Sequence, residues 1–136
     1  MERKKNKKLL YDLIYKFNTV ILGIINHITE YYGDSNMRAM ETILNDIINS
    51  TPDEPISCFL LNIYKNDKYR INILKENDTF FINEKYDEYT NGETERSMKL
   101  FEFKHLWKQI DNDTKEFIKK SMSTLVKICQ KYVLSL

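Results

Sequence analysis

The sequence predicts an all-α protein, a single compact bundle of five or six helices. Turn formers are scarce, with only three glycines and two prolines in 136 residues, which disfavours a sheet fold with many tight turns. Hydrophobic residues make up 42% and charged residues 30%, as is usual for a globular domain. Apolar residues recur at helical spacing. We expect a basic tail at residues 1–8 and one helical domain at residues 9–136.

The first helix is expected from about residue 6 to residue 32. Gly33 then offers the left-handed conformation that commonly ends a helix. The apolar face of this helix, with steps of three and four residues, consists of Leu10, Leu13, Ile14, Phe17, Ile21, Ile24, Ile25 and Ile28.

The second helix is predicted to begin at two capping residues, Asp34 and Ser35. Asn49 and Ser50 are expected to end it. Its predicted buried face consists of Met37, Met40, Leu44, Ile47 and Ile48.

A third helix is predicted from a capping box in which the Thr51 hydroxyl caps the helix and Glu54 closes the box. Pro52 would stand where a missing N–H does no harm, and Pro55 lies in the first turn. The expected buried residues are Ile56, Phe59, Leu60, Ile63 and Tyr64.

Residues 66–98 fit two structures. The alternation from Tyr69 to Ile73 is typical of a strand, which would belong to a β-hairpin at residues 69–83. The alternative is a short helix from Asp67 to Lys75 followed by a turn. In either case, an acidic loop is expected near residues 84–97.

The last helix has the clearest apolar stripe. Asp111 or Asp113 can cap its first turn, and Asp113 with Glu116 has the spacing of a capping box. The stripe steps by four and three residues through Ile118, Met122, Leu125, Cys129 and Tyr132.

Before this helix, residues 100–107 fit a short apolar-faced helix that contains the single tryptophan. Trp107 is expected in the core, because burying an indole removes on the order of 200 Å² from water. The alternative is an exposed anchor for a protein partner, with Phe103 and His105 beside it.

Catalytic chemistry finds no support in the sequence. The two histidines, His27 and His105, have no serine or cysteine at helical spacing to complete a triad, and no HExxH or Cys/His zinc pattern includes them. Three glycines do not form a phosphate-binding loop in the usual spacing. We therefore expect a non-enzymatic protein without catalytic residues, cofactor or metal site.

Charge suggests an alternative function. The net charge is only +1, but both ends of the chain are basic. Lys4, Lys5, Lys7 and Lys8 could contact the phosphates of a nucleic acid, together with the lysines of the last helix. This attraction would not depend on base sequence, and no known nucleic-acid-binding motif accompanies it.

The cysteines and the apolar runs bear on location. Cys58 and Cys129 lack a CxxC or Cys/His spacing, so both are predicted to be buried thiols of a reducing compartment. The longest apolar run, Val20 to Ile25, is far shorter than the roughly 20 residues that a bilayer requires. We expect an intracellular protein that is neither secreted nor bound to a membrane.

Two stretches, residues 53–89 and 99–128, resemble a group of small helical proteins of giant DNA viruses that infect protists. The matching positions are Pro55, Phe59, Tyr64, Ile73, Asp78, Phe80, Phe81, Tyr86, Asp87, Leu106, Trp107, Lys115, Ile118 and Leu125. The likeness spans about residues 9–130. It departs at Lys119, where such proteins often have a tryptophan.

The resemblance implies a helical, virus-encoded protein of the host cytoplasm, the viral factory or the virion, and it transfers no catalytic residues. With a patterned core and no chemistry around it, we expect an adaptor that binds another protein, viral or host. Nucleic-acid binding and a structural role in the virion or factory are the alternatives. An interaction module of this kind can also bind copies of itself, so a homo-oligomer is compatible with the expected adaptor role.

Overall fold

The computed structural model describes the backbone of residues 2–32, 35–76 and 109–136, and the side chains of residues 7–31, 37–76 and 109–136. These ranges are mostly helical and contain no strand, which confirms the all-α class and the compact bundle. The elements are α1 (Glu2–Tyr32), α2 (Ser35–Ser50), α3 (Glu54–Phe59), a π-helical turn (Leu60–Tyr64), α4 (Asp67–Leu74) and α5 (Asn112–Leu134). The predicted cap Asp34, the stop at Gly33, the acidic loop and the helix at residues 100–107 lie outside these ranges.

Helix α1 begins at Glu2, so the basic segment predicted as a tail is helical and continuous with the first predicted helix. Lysine, arginine and glutamate are good helix formers, which accounts for the extension. The buried apolar residues of α1 belong to the predicted face and are Leu13, Ile14, Phe17, Ile24 and Ile28.

Helices α1 and α5 pack against each other at the centre of the bundle. The contacts near their ends show that they run antiparallel. Near the end of α1, Nε2 of His27 lies 3.3 Å from the Thr114 hydroxyl in the first turn of α5. Further back along α1, Asn18 donates a hydrogen bond to the backbone of the turn before α3. Burial and then the Asp53 carboxylate of that turn raise the pKa of Tyr132, near the end of α5.

The core is formed by residues of α1, α3, α4 and α5. The rings of Phe17 and Phe59 meet edge to face, with centroids 5.4 Å apart, a favoured geometry for aromatic pairs. From α5, the residues that enter the core include Ile118, Leu125, Val126, Ile128 and Cys129. The predicted stripe of the last helix is therefore confirmed, with Met122 and Tyr132 partly buried at its edge.

Asp111 caps helix α5. Its carboxylate accepts a hydrogen bond from the backbone N–H of Thr114 at 2.9 Å, as an N-cap residue does. Of the two predicted caps, Asp111 therefore fills the role. Glu116 instead pairs with Lys119 at 2.7 Å.

Replacing Asp111 with Ala should reduce the free energy of unfolding by about 1 kcal/mol, because the first turn of α5 loses a hydrogen-bond acceptor. Urea denaturation followed by circular dichroism would measure the loss. Asp113→Ala is the matched control, since it removes a carboxylate from the same turn but leaves the cap in place. Equal losses in the two variants would contradict the assignment.

The predicted capping box at Thr51 is wrong. Helix α3 begins at Glu54, and its N-cap residue, Asp53, makes no side-chain cap hydrogen bond. The Glu54 N–H bonds instead to the Thr51 carbonyl at 3.0 Å, and Asp53 has φ −86° and ψ −4°. These values are those of a type I turn with Pro52 at its second position, so the proline serves the turn rather than the helix.

Asp67–Leu74 forms helix α4. The first strand of the predicted β-hairpin is therefore not formed. Tyr69 and Ile73, four residues apart, are both buried on one side of α4, whereas Ile71 is 44% exposed. In a strand, all three side chains would lie on the same face. The helical alternative for Asp67 to Lys75 is confirmed, with α4 ending at Leu74.

The π-helical turn between α3 and α4 was not predicted. Its wider hydrogen bond runs from the Lys65 N–H to the Leu60 carbonyl at 3.1 Å. Arg70 of α4 supports the turn by donating to the Tyr64 carbonyl at 3.2 Å and by lying over the Tyr64 ring. This contact satisfies one of the carbonyls that a helix end leaves free.

Candidate functional site

The three predicted protein-contact residues, Trp107, Phe103 and His105, lie outside the described residues. Of the predicted nucleic-acid contacts, Lys4 and Lys5 lie in α1 but their side chains are outside the described set. Lys7 and Lys8 are exposed on α1. Of the predicted site residues, Lys7 and Lys8 are therefore those whose side chains the structure describes.

His27 is half-buried among side chains at one end of the bundle. Its ring centroid is 4.8 Å from that of Tyr31 and 4.8 Å from that of Phe117, and its Nε2 faces the Thr114 hydroxyl. The contacts with Phe117 and Thr114 join the end of α1 to the start of α5, whereas Tyr31 belongs to α1 itself. His27 therefore has a structural role in the packing of the two helices.

Metal-binding clusters are absent from the part of the chain that the structure describes, where no group of three or more His, Cys, Asp or Glu side chains could hold an ion. The cysteines differ from expectation, since Cys129 is buried but Cys58 is exposed. Cys58 follows the buried residue Ile56 by two positions, which in a helix points its side chain away from the core.

Cys129 lies fully inside the core. Burial raises the pKa of its thiol from 9.0 to about 11, because an apolar environment disfavours the thiolate. A thiol with such a pKa is a poor nucleophile at neutral pH. The chemistry of Cys129 is therefore that of a small core residue.

One side of α2 has a stripe of uncovered apolar side chains. Among residues 37–50, none is buried. Met40 is 53% exposed and Ile43 is 57% exposed, and Ile47 continues the stripe as a half-buried residue. We call Met40, Ile43 and Ile47 the α2 patch.

The α2 patch corrects the prediction for this helix. The sequence pattern predicted Met40 in the core and did not single out Ile43. Positions 40, 43 and 47 lie on one helical face, but α1 and α3 contact the neighbouring side of α2 through residues such as Met37. The apolar face of α2 is therefore wider than the part that α1 and α3 cover, and Met40 and Ile43 lie outside that part.

The outer face of α1 has exposed tyrosines among lysines. Tyr11 is 64% exposed and Tyr15 is 73% exposed, while Lys7, Lys8 and Lys16 are exposed beside them. The tyrosines were not among the predicted site residues. Their spacing of four residues, one helical turn, and the lysines one turn earlier were visible in the sequence.

Helix α5 also has a row of exposed lysines. Lys120, Lys127 and Lys131, with Thr124 between them, follow one another along the solvent side of the helix. Lys119, in contrast, is buried and paired with Glu116. The position where the resembling proteins often have a tryptophan is thus a buried one here.

By length and composition alone, the segment Lys7–Tyr31 of α1 could cross a membrane, whereas the sequence predicted that the longest apolar run is too short for a bilayer. A helix in the core of a bundle also meets this criterion. Leu13, Phe17 and Ile24 of this segment are buried in the core.

No protein family, curated protein or solved structure matches the chain. The resemblance to giant-virus proteins stays a prediction.

Proposed function

We propose that this protein is a non-enzymatic interaction module that binds an amphipathic helix of another protein along the α2 patch. The observation that carries the proposal is the absence of a buried side chain among residues 37–50 of α2. An amphipathic helix normally buries its apolar stripe against the rest of the protein. A stripe that stays half uncovered is available to a partner.

The spacing of the α2 patch supports a helical partner. Met40, Ile43 and Ile47 stand at positions i, i+3 and i+7, the pattern of anchors in helix-to-groove recognition. They extend over about 10 Å of the helix axis, or two turns. Methionine adapts its shape to different partners, which suits a docking surface.

The charges around the α2 patch support a protein rather than a nucleic acid. Arg38, Glu41 and Asp46 lie on the same helix, so the surroundings carry both signs. A polyphosphate would be repelled by the two carboxylates. An amphipathic helix with charges of both signs beside its apolar face fits better.

A photo-crosslinking amino acid at position 43 should capture a partner protein in cells that express the chain. The matched control is position 71, because Ile71 is also an exposed isoleucine on a helix. We expect an adduct from position 43 only. Equal capture at both positions, or adducts with copies of this chain alone, would contradict the proposal.

The affinity of the captured partner should depend on the α2 patch. Met40→Ser combined with Ile43→Ser should weaken binding about thirtyfold, because each side chain loses about 1 kcal/mol of further apolar burial. Fluorescence polarisation with the labelled partner helix would measure this change. Ile71→Ser should leave the affinity unchanged.

The viral origin and the location in host cytoplasm, factory or virion remain predictions that rest on the resemblance. A structural role in the particle is the alternative to an adaptor. Mass spectrometry of purified particles would separate the two, since a structural component would be found there in many copies.

A further inference from the structure

We propose that the outer face of the first half of α1 binds single-stranded nucleic acid, with Tyr11 and Tyr15 stacking on bases and the adjacent lysines contacting phosphates. This activity goes beyond helix binding and uses a different surface from the α2 patch. It also differs from the sequence-based expectation of a basic tail, because the tyrosines of a rigid helix carry the recognition.

The two tyrosine rings are available for stacking. Tyr11 and Tyr15 are 64% and 73% exposed, so neither contributes much to the core. They lie one turn apart, about 6 Å along the axis of α1. In proteins that bind single-stranded nucleic acid, bases stack on exposed aromatic side chains that are surrounded by basic residues.

The spacing of the rings favours a single strand over a duplex. Stacked bases in one strand of a duplex follow one another at about 3.4 Å. Rings about 6 Å apart match an extended strand whose neighbouring bases have separated. A duplex would keep its bases away from both rings.

Lysines on either side of the tyrosines supply positive charge. Lys7 and Lys8 lie one turn before Tyr11, Lys16 follows Tyr15, and all three lysines are exposed. Asp12 is the single acid between residues 7 and 29. The net charge of this surface is therefore positive, as phosphate binding requires.

Helix α5 adds lysines to the same end of the bundle. Thr114 lies beside His27, and the two helices run antiparallel. Measured from that contact, Tyr11 and Lys131 both lie about 25 Å along their helices. Lys127 and Tyr15 are also at similar heights, at about 20 Å and 18 Å. The positive charge at this end of the bundle comes from both helices.

An anionic membrane surface is the competing partner for a basic helix. Helices that lie on membranes insert their apolar face between the lipids. The apolar face of α1 is occupied, because Leu13 and Phe17 are buried in the core. Among the exposed residues of positions 7–16, Leu9 is the one aliphatic side chain, at 45% exposed, and the two tyrosines and three lysines suit bases and phosphates better.

The test is fluorescence anisotropy of a labelled oligothymidylate titrated with the full chain at low salt. Each of Tyr11→Ala and Tyr15→Ala should weaken binding about tenfold, the loss of one stacked base. Lys8→Gln should also lower the slope of log affinity against log salt by about 0.7, the value for one phosphate contact on a single strand.

Two variants act as matched controls. Tyr31→Ala removes an exposed tyrosine at the opposite end of α1, and Lys120→Gln removes an exposed lysine from the part of α5 near that end. Both should leave binding unchanged, and circular dichroism would verify that every variant is folded.

Three results would overturn the proposal. The first is an absence of binding to the oligonucleotide at low salt. The second is equal weakening by Tyr31→Ala and Tyr15→Ala. The third is a combination of two observations. The chain binds phosphatidylserine vesicles tightly, and it binds the oligonucleotide no better than a duplex of the same length.

Discussion

Replacing Phe17 with Ala should lower the free energy of unfolding by about 3 to 5 kcal/mol. The side chain is fully buried, and its ring meets that of Phe59 edge to face. The substitution removes apolar contacts and leaves a cavity between α1 and α3. The surrounding side chains and helices relax only partly into such a cavity. It also removes the aromatic pair.

Urea denaturation followed by circular dichroism at 222 nm, a standard helical wavelength, would measure the loss. Tyr15→Ala is the matched control, because it deletes an aromatic ring from the same helix on the exposed side and should change stability by about 0.5 kcal/mol or less. If Phe17→Ala were as mild as this control, the described packing of α1 on α3 would be wrong.

The folded chain should lose about 2 kcal/mol of stability through Cys129 as the pH rises from 9 to 11. Below pH 9 the thiol is protonated in both states and does not contribute to the pH dependence. Above it, the unfolded chain releases the proton while the folded chain keeps it up to about pH 11. Ionisation therefore stabilises the unfolded state alone.

Unfolding of Cys129→Ala would isolate this effect. The variant should be less stable at every pH because of its smaller side chain, but its stability should fall less between about pH 8 and about pH 11. The pKa of Tyr132 is raised by burial, then by the Asp53 carboxylate and least by Cys129, so the two larger causes are shared by both proteins. Parallel pH profiles of the two proteins would contradict the burial of Cys129.

The exposed Cys58 provides an independent check on the same core. A thiol reagent should modify Cys58 in the folded protein, whereas Cys129 should react only after unfolding. One modified thiol in the native chain and two in urea is the expected result.

The two proposed surfaces can be tested separately because they use different faces. The α2 patch is apolar with charges of both signs nearby, whereas the outer face of α1 combines tyrosines with lysines. Serine substitutions at Met40 and Ile43 should leave oligonucleotide binding intact. Alanine substitutions at Tyr11 and Tyr15 should leave binding of the partner helix intact.

Where an apolar stripe was regular, the sequence predicted the structure well. The stripes of α1 and α5 each continue over many turns, so a shift by one residue would expose the whole face. Asp111 was also predictable as a cap, because a carboxylate just before a periodic stripe has few other local roles.

Short segments were harder to predict. Tyr69, Ile71 and Ile73 fit a strand as well as a helix, and only the packing of Tyr69 and Ile73 on the core distinguishes the two. At Thr51 to Glu54, a capping box and a type I turn have the same sequence pattern. The backbone angles of Asp53 show that the turn is formed.

By itself, the sequence determined the all-α class, the apolar faces of the first and last helices and the cap of α5, because helical periodicity and capping depend on residues close together in the chain. The tertiary structure decided that Met40 and Ile43 are uncovered, that Cys58 is exposed and that α1 and α5 bring lysines to one end. These features depend on how much of each helix its neighbours cover and on the direction in which distant helices pack.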